Sequence, residues 1–236
     1  MLLNPNEIIK SYSVLPQLHK LSGSIFVKDE NYDFYLELKK KAIQNQICFV
    51  EHNFNLYDPI INFIQKQYPI NLNSFEEISL NIQEDLVIHC LNPYADWFGA
   101  GHICFPSGWR PEEKIGKSFQ EIHSPVPGIK VNRKLVESLV NYGPFERYVW
   151  GVIFEETING HPNYLRKEFK DKFWIKIERQ VVVGFPEHSI FLFVIRQHLF
   201  KEEEIDKKIL FNSLSKMNDM EKEYKGINKD FLESLK

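Results

Sequence analysis

The residues that could most readily take part in chemistry lie close together. They are in the segment GHICFPSGWRPEEKIGKSFQEIHSPVPG at positions 101–128. His123 offers an imidazole that can bind a metal ion, and Lys114 offers an ammonium group that can pair with a carboxylate. Trp109 adds a large apolar surface, while the prolines of the segment restrict its backbone. The segment is therefore predicted to form a rigid wall that presents Lys114 and His123 to a bound group.

Common catalytic and nucleotide-binding motifs are absent from the sequence. It contains no P-loop, no GxGxxG fingerprint, no GxSxG nucleophile elbow and no HExxH zinc helix. His89 and Cys90 are adjacent on a predicted strand, so their side chains point to opposite faces and do not easily share a metal. His102 and Cys104 could share one, but two ligands do not make a structural zinc site. No sequence pattern identifies a general base that would activate Cys104 as a nucleophile. A buried thiol is therefore the better interpretation.

Composition indicates a soluble, cytoplasmic globular protein. The 236 residues are 43% hydrophobic and 26% charged, which is enough for a substantial core and predicts a single domain over residues 1–236. A net charge of −3 with mixed signs argues against nucleic acid, and the sequence shows neither a signal peptide nor a membrane span. Cys48, Cys90 and Cys104 lack CxxC spacing, which favours buried thiols in a reducing compartment.

Four segments have helical periodicity. Residues 29–44 are predicted to be a helix capped by Asp29, and residues 56–68 a second helix that ends before Pro69. Residues 131–142 form a third, which Gly143 is placed to end. The tail at 207–236 is predicted to be an amphipathic C-terminal helix with one apolar side, formed by Leu210, Leu214, Met217 and Tyr224.

Alternating patterns predict strands between these helices. In residues 83–90 one face carries Leu86, Ile88 and Cys90, and the other carries Asp85, Val87 and His89. Residues 147–154 read as another strand, and residues 173–183 and 189–200 are predicted to form a hairpin across the turn GFPEHS. Helices flanking an antiparallel sheet give an α+β fold class.

Several separated motifs follow one another in a characteristic order. They are Gln83-Glu84-Asp85-Leu86, Phe105-Pro106-Ser107-x-Trp109, Lys114-x-Gly116, Ile122-His123-x-Pro125-Val126-Pro127-Gly128, Arg147-x-x-Trp150, Glu178-Arg179-Gln180 and an apolar strand ending near Arg196. In this order they resemble the haem-dependent oxidative N-demethylase family. The resemblance covers roughly residues 15–205, and it is specific because the motifs agree in sequence order.

This resemblance implies a fold, a cofactor and an activity. Members of the family are similar to PAS domains, in which an antiparallel sheet and helices enclose a b-type haem. The characterised activity is that of a haem monooxygenase, which uses O2 to remove a methyl group from a small methylated amine and releases formaldehyde. Electrons come from a reduced pyridine nucleotide through separate redox subunits or domains. Because this chain has no flavin or iron–sulfur motif, its electron-transfer partner is expected to be another protein.

The chain departs from the family pattern at one position. Where the family usually has Arg-x-Asn-Trp, this sequence has Arg147-Tyr148-Val149-Trp150. Val149 therefore lacks the hydrogen-bond donor and acceptor of an amide. The departure predicts either a different substrate or a loss of activity.

A haem needs an axial ligand, cations for its two propionates and an apolar slot. His123 is the predicted axial ligand of the iron, with His89, His102 and His198 as alternatives. The predicted propionate partners are Lys114, Arg147 and Arg179, and the predicted walls of the slot are Trp109 and Trp150.

Each of these residues also has a structural interpretation. Arg179 lies on an apolar strand face and could pair with an internal carboxylate such as Asp85. Lys114 could be a solvated loop residue, and both tryptophans could be ordinary core residues. Glu84 and Asp85 could relay protons, or they could fix a turn at the start of a strand.

Three functions remain open at the level of sequence. The leading one is haem-dependent oxidative N-demethylation of a small methylated amine. The second is a haem-binding or gas-sensing PAS-like module without catalysis, which the loss of the amide at Val149 favours. The third is a structural subunit that binds no haem.

Overall fold

The computed structural model describes residues 3–44, 54–68, 74–164 and 168–236. Within these ranges the strands are β1 (His19–Lys20), β2 (Asp85–Leu91), β3 (Asp96–His102), β4 (Phe145–Ile153), β5 (Trp174–Phe185) and β6 (Ile190–Lys201). The helices are α1 (Pro5–Ile8), α2 (Tyr32–Gln44), α3 (Phe54–Gln67), α4 (Phe75–Ser79), α5 (Phe119–His123), α6 (Arg133–Asn141), α7 (Lys207–Ser215), α8 (Asp219–Tyr224) and α9 (Lys229–Ser234).

The six strands form one antiparallel sheet in the order β1-β4-β5-β6-β2-β3. Helices flank this sheet, so the α+β class is confirmed. The hairpin predicted at 173–200 is present as β5 and β6, which pair from Trp174 opposite Lys201 to Phe185 opposite Ile190. No helix in the described ranges is both long and apolar enough to cross a membrane.

The outer face of the sheet is covered by helices. Leu86, Ile88 and Cys90 lie there in one apolar cluster with residues of α3 and α4. Further along the same face, Ile175 and Ile177 pack against α1 and the C-terminal helices. The predicted alternation on β2 is therefore confirmed, because Asp85, Val87 and His89 point to the opposite, inner face, where they line a cavity.

Two predicted helix boundaries need correction. The first helix begins at Tyr32 rather than at Asp29. Asp29 does not cap the helix, because its carboxylate accepts hydrogen bonds from the Asn31 N–H (2.9 Å) and from the Arg196 guanidinium (2.6 Å). The second helix is Phe54–Gln67, close to the predicted range. Its predicted stop at Pro69, like Cys48, lies outside the described residues.

The C-terminal tail is three short helices and not the single helix that was predicted. Asn218 and Asn228 interrupt it, because each side chain accepts a backbone N–H three residues ahead and so begins a new helix. Gly226 lies between them with a φ of +68°, a conformation that glycine adopts without strain. Tyr224 was predicted to lie on the same apolar side as Leu210. Its side chain is 44% exposed, whereas Leu210 is buried.

Strand β3 was not predicted from the sequence. Its residues Gly99, Ala100 and Gly101 have small or absent side chains, and glycine is depleted in strands. The structure explains Gly101, since a Cβ atom there would lie 2.7 Å from Cζ of Phe98. Close packing of Phe98 on the strand therefore requires a residue without a side chain.

Two buried histidines predict a loss of stability in acid. Burial lowers the pKa of His102 to about 3 and the pKa of His198 to about 4, whereas an unfolded histidine has a pKa of about 6.5. Between these values the unfolded chain binds protons that the folded chain does not, so the free energy of unfolding falls as the pH falls below 6.5. We expect a loss of roughly 1 kcal/mol per pH unit for each histidine.

Urea unfolding of the apoprotein between about pH 7.5 and pH 4.5 measures this slope. The variant His198→Gln should unfold with a shallower dependence on pH than the native protein. A free energy of unfolding that stays constant across this range would contradict the prediction.

Candidate functional site

A cavity of about 470 Å³ lies between the inner face of the sheet and residues 103–129, which we call the wall segment. Ligand sites in proteins typically enclose about 300–1,000 Å³. Gly116 and Gly128 help the wall segment to turn, since both have a φ above +70°. Much of the lining is apolar and aromatic, including Val87, Phe98, Trp109, Phe119, Phe193 and Ile195. The cavity is therefore suited to a flat apolar guest with a few polar attachments.

His123 is held at the end of helix α5. The helix begins with a capping box, in which the Ser118 hydroxyl accepts the Glu121 N–H (3.2 Å) and the Glu121 carboxylate accepts the Ser118 N–H (2.8 Å). At the end of this single turn, Nδ1 of His123 lies 2.7 Å from the carbonyl oxygen of Phe119. The imidazole also contacts the Phe119 ring, with 4.3 Å between the ring centroids.

This contact determines the tautomer of His123. A carbonyl oxygen can only accept, so Nδ1 carries the hydrogen and Nε2 keeps its lone pair. His123 lines the cavity, and within the described ranges its Nε2 makes no hydrogen bond. Burial lowers the pKa of His123 to about 4, so the ring is neutral at pH 7. A neutral imidazole whose other nitrogen is bonded to a carbonyl is a common form of a metal-binding histidine.

Asp96 connects helix α5 to the sheet. Its Oδ2 accepts the Phe119 N–H at 2.7 Å and lies 2.7 Å from Nε2 of His89. The His89 hydrogen bond is the main reason why the pKa of Asp96 is lowered. Phe119 thus bonds to Asp96 through its backbone N–H and to His123 through its backbone carbonyl. Asp96 therefore helps to orient the His123 ring.

The other predicted ligand histidines are less suitably placed. His89 lines the cavity, but its Nε2 is engaged by Asp96 and its ring stacks on Phe191 at 5.0 Å. His198 alternates with the cavity residue Gln197 on β6, so it lies on the outer face of the sheet. His102 is not among the described residues that line the cavity.

Arg147 and Lys114 are the predicted cations that the structure places on the cavity. The Nε of Arg147 donates to Gln180 (2.9 Å) and its Nη1 to the Pro16 carbonyl (3.3 Å), while Nη2 has no partner in the described ranges. The Nζ of Lys114 donates to the Ile122 carbonyl at 3.2 Å, which uses one of its three hydrogens. Both side chains can therefore donate hydrogen bonds to an anionic group in the cavity.

Arg179 and Trp150 lie elsewhere. Arg179 forms an ion pair with Glu146 (2.6 Å) and donates to the carbonyls of Ser24 (2.7 Å) and Ile25 (3.1 Å). Its internal carboxylate partner is thus Glu146 and not Asp85. Trp150 packs on the outer face of the sheet, in the apolar cluster that contains Ile175 and Ile177. It donates its Nε1–H to the Ser11 carbonyl at 2.9 Å. Neither residue is among those lining the cavity, whereas Trp109 is.

Glu84 and Asp85 both fix backbone segments. The Glu84 carboxylate accepts the Val27 N–H at 2.9 Å. Asp85 accepts the N–H groups of Cys104 (3.0 Å) and Phe105 (2.8 Å), so it anchors the start of the wall segment to the sheet. The pair thus holds segments that are distant in sequence rather than a turn at the start of β2, and Asp85 also lines the cavity.

Sequence reasoning did not identify three polar residues of the cavity. Glu178, Gln197 and Lys225 all line it. Glu178 belongs to the Glu178-Arg179-Gln180 motif of the family resemblance, but a charged residue on a half-polar strand face is also typical of a solvent-facing position, so no role in a cavity was predicted for it. Lys225 follows α8 in the C-terminal tail, and its Nζ donates to the Trp150 carbonyl at 3.0 Å. Only the folded structure brings these residues together.

The fold and the cavity define a class of protein. It is an α+β chain in which a sheet and a proline-rich wall border a largely apolar cavity, whose described lining includes His123 and the cationic side chains Arg110, Lys114, Arg147 and Lys225. The described residues contain no cluster of three or more His, Cys, Asp or Glu side chains that could hold a bare metal ion.

The chain belongs to the family described as haem-dependent oxidative N-demethylase, alpha subunit-like, whose model matches residues 34–231. The match includes the wall segment, strands β2 to β6 and most of the C-terminal tail. None of the curated proteins compared with the sequence matches it.

Proposed function

We propose that this chain is the haem-binding subunit of a multi-subunit enzyme. The enzyme would use O2 to remove a methyl group from a small methylated amine. The observation that carries the proposal is His123, whose Nδ1–H is bonded to a carbonyl and whose Nε2 is available in the cavity. The family match supports a haem cofactor and an assembly of several subunits. We further propose a PAS-like fold and a b-type haem.

The residues of the cavity fit the requirements of haem. His123 would supply the axial ligand, and Arg147 and Lys114 would pair with the two propionates. The aromatic side chains of the cavity would pack against the haem and exclude water from it. Asp96 would help to keep the imidazole oriented, because it fixes the backbone N–H of Phe119, the residue whose carbonyl accepts from His123.

The cofactor and its partner would supply the redox chemistry. Haem, when bound, supplies an iron at which O2 is activated for oxidation of the N-methyl carbon. The overall conversion of a secondary amine consumes one O2, two electrons and two protons, and yields a primary amine, formaldehyde and water. We propose that the electrons originate from a reduced pyridine nucleotide and arrive through a separate electron-transfer protein.

A second candidate function follows from Val149. This residue lines the cavity, at the position where the family pattern has an asparagine. If that amide orients a reactant, its loss here favours a module that binds haem without catalysis. The variant Val149→Asn restores the amide and so separates the two functions.

The experiment that tests the proposed function has two stages. The first is an absorption spectrum of the protein expressed with a haem precursor, recorded in the ferric and the dithionite-reduced states. The second is a formaldehyde assay with a methylated amine, O2 and a chemical or protein reductant. Haem binding with formaldehyde release supports the enzyme, and haem binding with release only in Val149→Asn supports the second candidate. A protein that binds no haem would overturn both.

Arg147→Gln is expected to weaken the retention of haem. Its guanidinium would otherwise donate a charge-assisted hydrogen bond to a propionate, which is worth about 1.5–3 kcal/mol and therefore about 10- to 100-fold in the dissociation rate. Transfer of haem to an excess of apomyoglobin, followed by absorbance, measures this rate. Arg133→Gln is the matched control, because Arg133 is an exposed residue of α6 that pairs with Glu137 at 2.8 Å. Equal rates in the two variants would count against the predicted role of Arg147.

A further inference from the structure

Lys225 brings a primary amine to the cavity. The residue ends helix α8 and lines the cavity together with Tyr12 and Tyr224. Its Nζ lies 5.4 Å from the ring centroid of Tyr12 and 5.7 Å from that of Tyr224. Two aromatic rings thus border the amine, and they replace part of the water that would surround the amine of an exposed lysine.

The amine of Lys225 has few polar contacts. Within the described ranges its Nζ donates one hydrogen bond, to the Trp150 carbonyl at 3.0 Å. No carboxylate of a described residue lies within the 4.0 Å that defines an ion pair with it. A neutral amine can donate this one bond as well as an ammonium group can, and it keeps a lone pair. The surroundings of Nζ therefore do not require the charged form.

Lys176 shows that a lowered pKa does not by itself make a lysine reactive. Burial lowers the pKa of Lys176 to about 8. Its Nζ, however, donates to three carbonyls, those of Phe105 (3.2 Å), Pro106 (2.9 Å) and Ile158 (2.6 Å). These bonds use all three hydrogens of an ammonium group and tie the wall segment to the sheet. Lys225 lacks such a set of acceptors, so its amine stays accessible to a reactant in the cavity.

Burial and charge favour the neutral amine at Lys225. Loss of contact with water is the main cause that lowers the pKa of Lys225 to about 8; Glu178 opposes this effect, and the charge of Arg147 adds to it. An exposed lysine has a pKa of about 10.4. At pH 7 the neutral fraction is therefore roughly 200-fold larger for Lys225. A desolvated lysine beside another cation is a form that enzymes use as a nucleophile.

We propose that Lys225 is a nucleophilic lysine that forms an imine with a small aldehyde in the cavity. The lone pair of Nζ attacks the carbonyl carbon, and one N–H proton moves to the carbonyl oxygen, which gives a carbinolamine. The hydroxyl group then leaves with the second N–H proton as water. For formaldehyde, R–NH2 and CH2O become R–N=CH2 and H2O, with no oxidant or reductant. Water reverses the reaction, so Lys225 holds the aldehyde and later releases it.

Formaldehyde is the aldehyde that this position favours. The inference rests on the proposed function, in which formaldehyde is released into the same cavity. Formaldehyde carries no substituent on its carbonyl carbon, so it reaches a half-buried amine more easily than a larger aldehyde does. Lys114 also lines the cavity, and it donates to the Ile122 carbonyl. A haem propionate beside Lys114 would favour its charged form, which leaves Lys225 as the more reactive amine of the two.

Reductive methylation tests the reactivity of Lys225. The haem-loaded protein is incubated at pH 7 with limiting deuterated formaldehyde and sodium cyanoborohydride, which reduces an imine to a stable N-methyl group. Peptide mass spectrometry then locates and quantifies the labelled lysines. We expect Lys225 to be methylated at least about tenfold faster than Lys134, an exposed residue of α6 that serves as the internal control. This limit is below the ratio of neutral fractions because a half-buried amine is reached more slowly.

The dependence of this rate ratio on pH is the second readout. Between about pH 7 and pH 10 an exposed lysine loses its proton, whereas Lys225 is already neutral above about pH 8, so the ratio should fall steeply. Equal rates at Lys225 and Lys134 at pH 7, or a ratio that does not change with pH, would overturn the inference. Either result leaves the proposed function intact, because haem binding and formaldehyde release are measured separately. If the protein binds no haem, the proposed function fails, and labelling of the apoprotein decides the reactivity of Lys225 on its own.

Discussion

The Soret band of the haem-loaded protein is expected to be lost or shifted in His123→Gly. In the native chain, Nε2 of His123 is the ring nitrogen left available by the 2.7 Å contact between Nδ1 and the Phe119 carbonyl. Glycine removes the ligand and leaves a space of about the size of the imidazole ring. We therefore expect that added imidazole enters this space and restores the band, which a general loss of folding would not allow.

His89→Gly is the matched control for this measurement. His89 lines the same cavity, but its Nε2 is bonded to Asp96 at 2.7 Å. Its spectrum is expected to keep the Soret band, with small shifts because Asp96 also holds the start of α5. A band that is unchanged in His123→Gly and lost in His89→Gly would reassign the axial ligand. Loss of the band without rescue by imidazole would show that the wall segment needs His123 for another reason.

Much of the fold follows from local sequence patterns. The hairpin β5–β6 and strand β2 have alternating apolar residues, and these predict both the strands and the faces of Leu86 and Val87 correctly. Strand β3 has no such pattern because Gly99, Ala100 and Gly101 lie at its centre, and of these Gly101 packs closely against Phe98. The C-terminal helix was predicted to be continuous because apolar spacing alone does not reveal a break, whereas the caps at Asn218 and Asn228 create one.

The cavity was less predictable than the fold. The wall segment was identified because histidine, lysine, proline and glycine are concentrated in a short stretch, and His123 and Lys114 both line the cavity. Arg179 was grouped with them because a positively charged side chain on an apolar strand face requires an anionic partner. The sequence alone does not identify that partner. The structure supplies Glu146 on the neighbouring strand β4. Glu178 and Gln197 meet across two strands, a relation that depends on register.

Lys39→Met is expected to lower the free energy of unfolding by about 3–5 kcal/mol, since removal of one partner leaves a buried charge uncompensated. Lys39 is fully buried, and its Nζ lies 3.3 Å from Oδ1 of Asp85. It also donates to the carbonyls of Ser79 (3.0 Å) and Glu84. Urea unfolding of native and variant protein measures the difference. Lys40→Met, an exposed change on the same helix, should alter stability by less than about 0.5 kcal/mol.

The dependence of this loss on pH identifies its cause. Burial already raises the pKa of the Asp85 carboxyl, and Lys39 opposes that effect. Without Lys39 the pKa rises further, so the folded variant binds a proton that the unfolded chain releases above about pH 3.9. Its stability therefore falls as the pH rises, and the difference from the native protein should be larger at pH 7.5 than at about pH 5. A difference that is the same at both values would assign the loss to packing rather than to the unpaired charge.

The same variant should also affect the cavity. Asp85 holds the N–H groups of Cys104 and Phe105, where the wall segment leaves the sheet. A protonated Asp85 accepts these bonds less strongly, because a charged acceptor forms the stronger hydrogen bond. Lys39→Met is therefore expected to lose haem faster than the native protein, even though Lys39 is not a lining residue of the cavity. Unchanged haem dissociation in a destabilised Lys39→Met protein would show that the wall segment keeps its position without the buried ion pair.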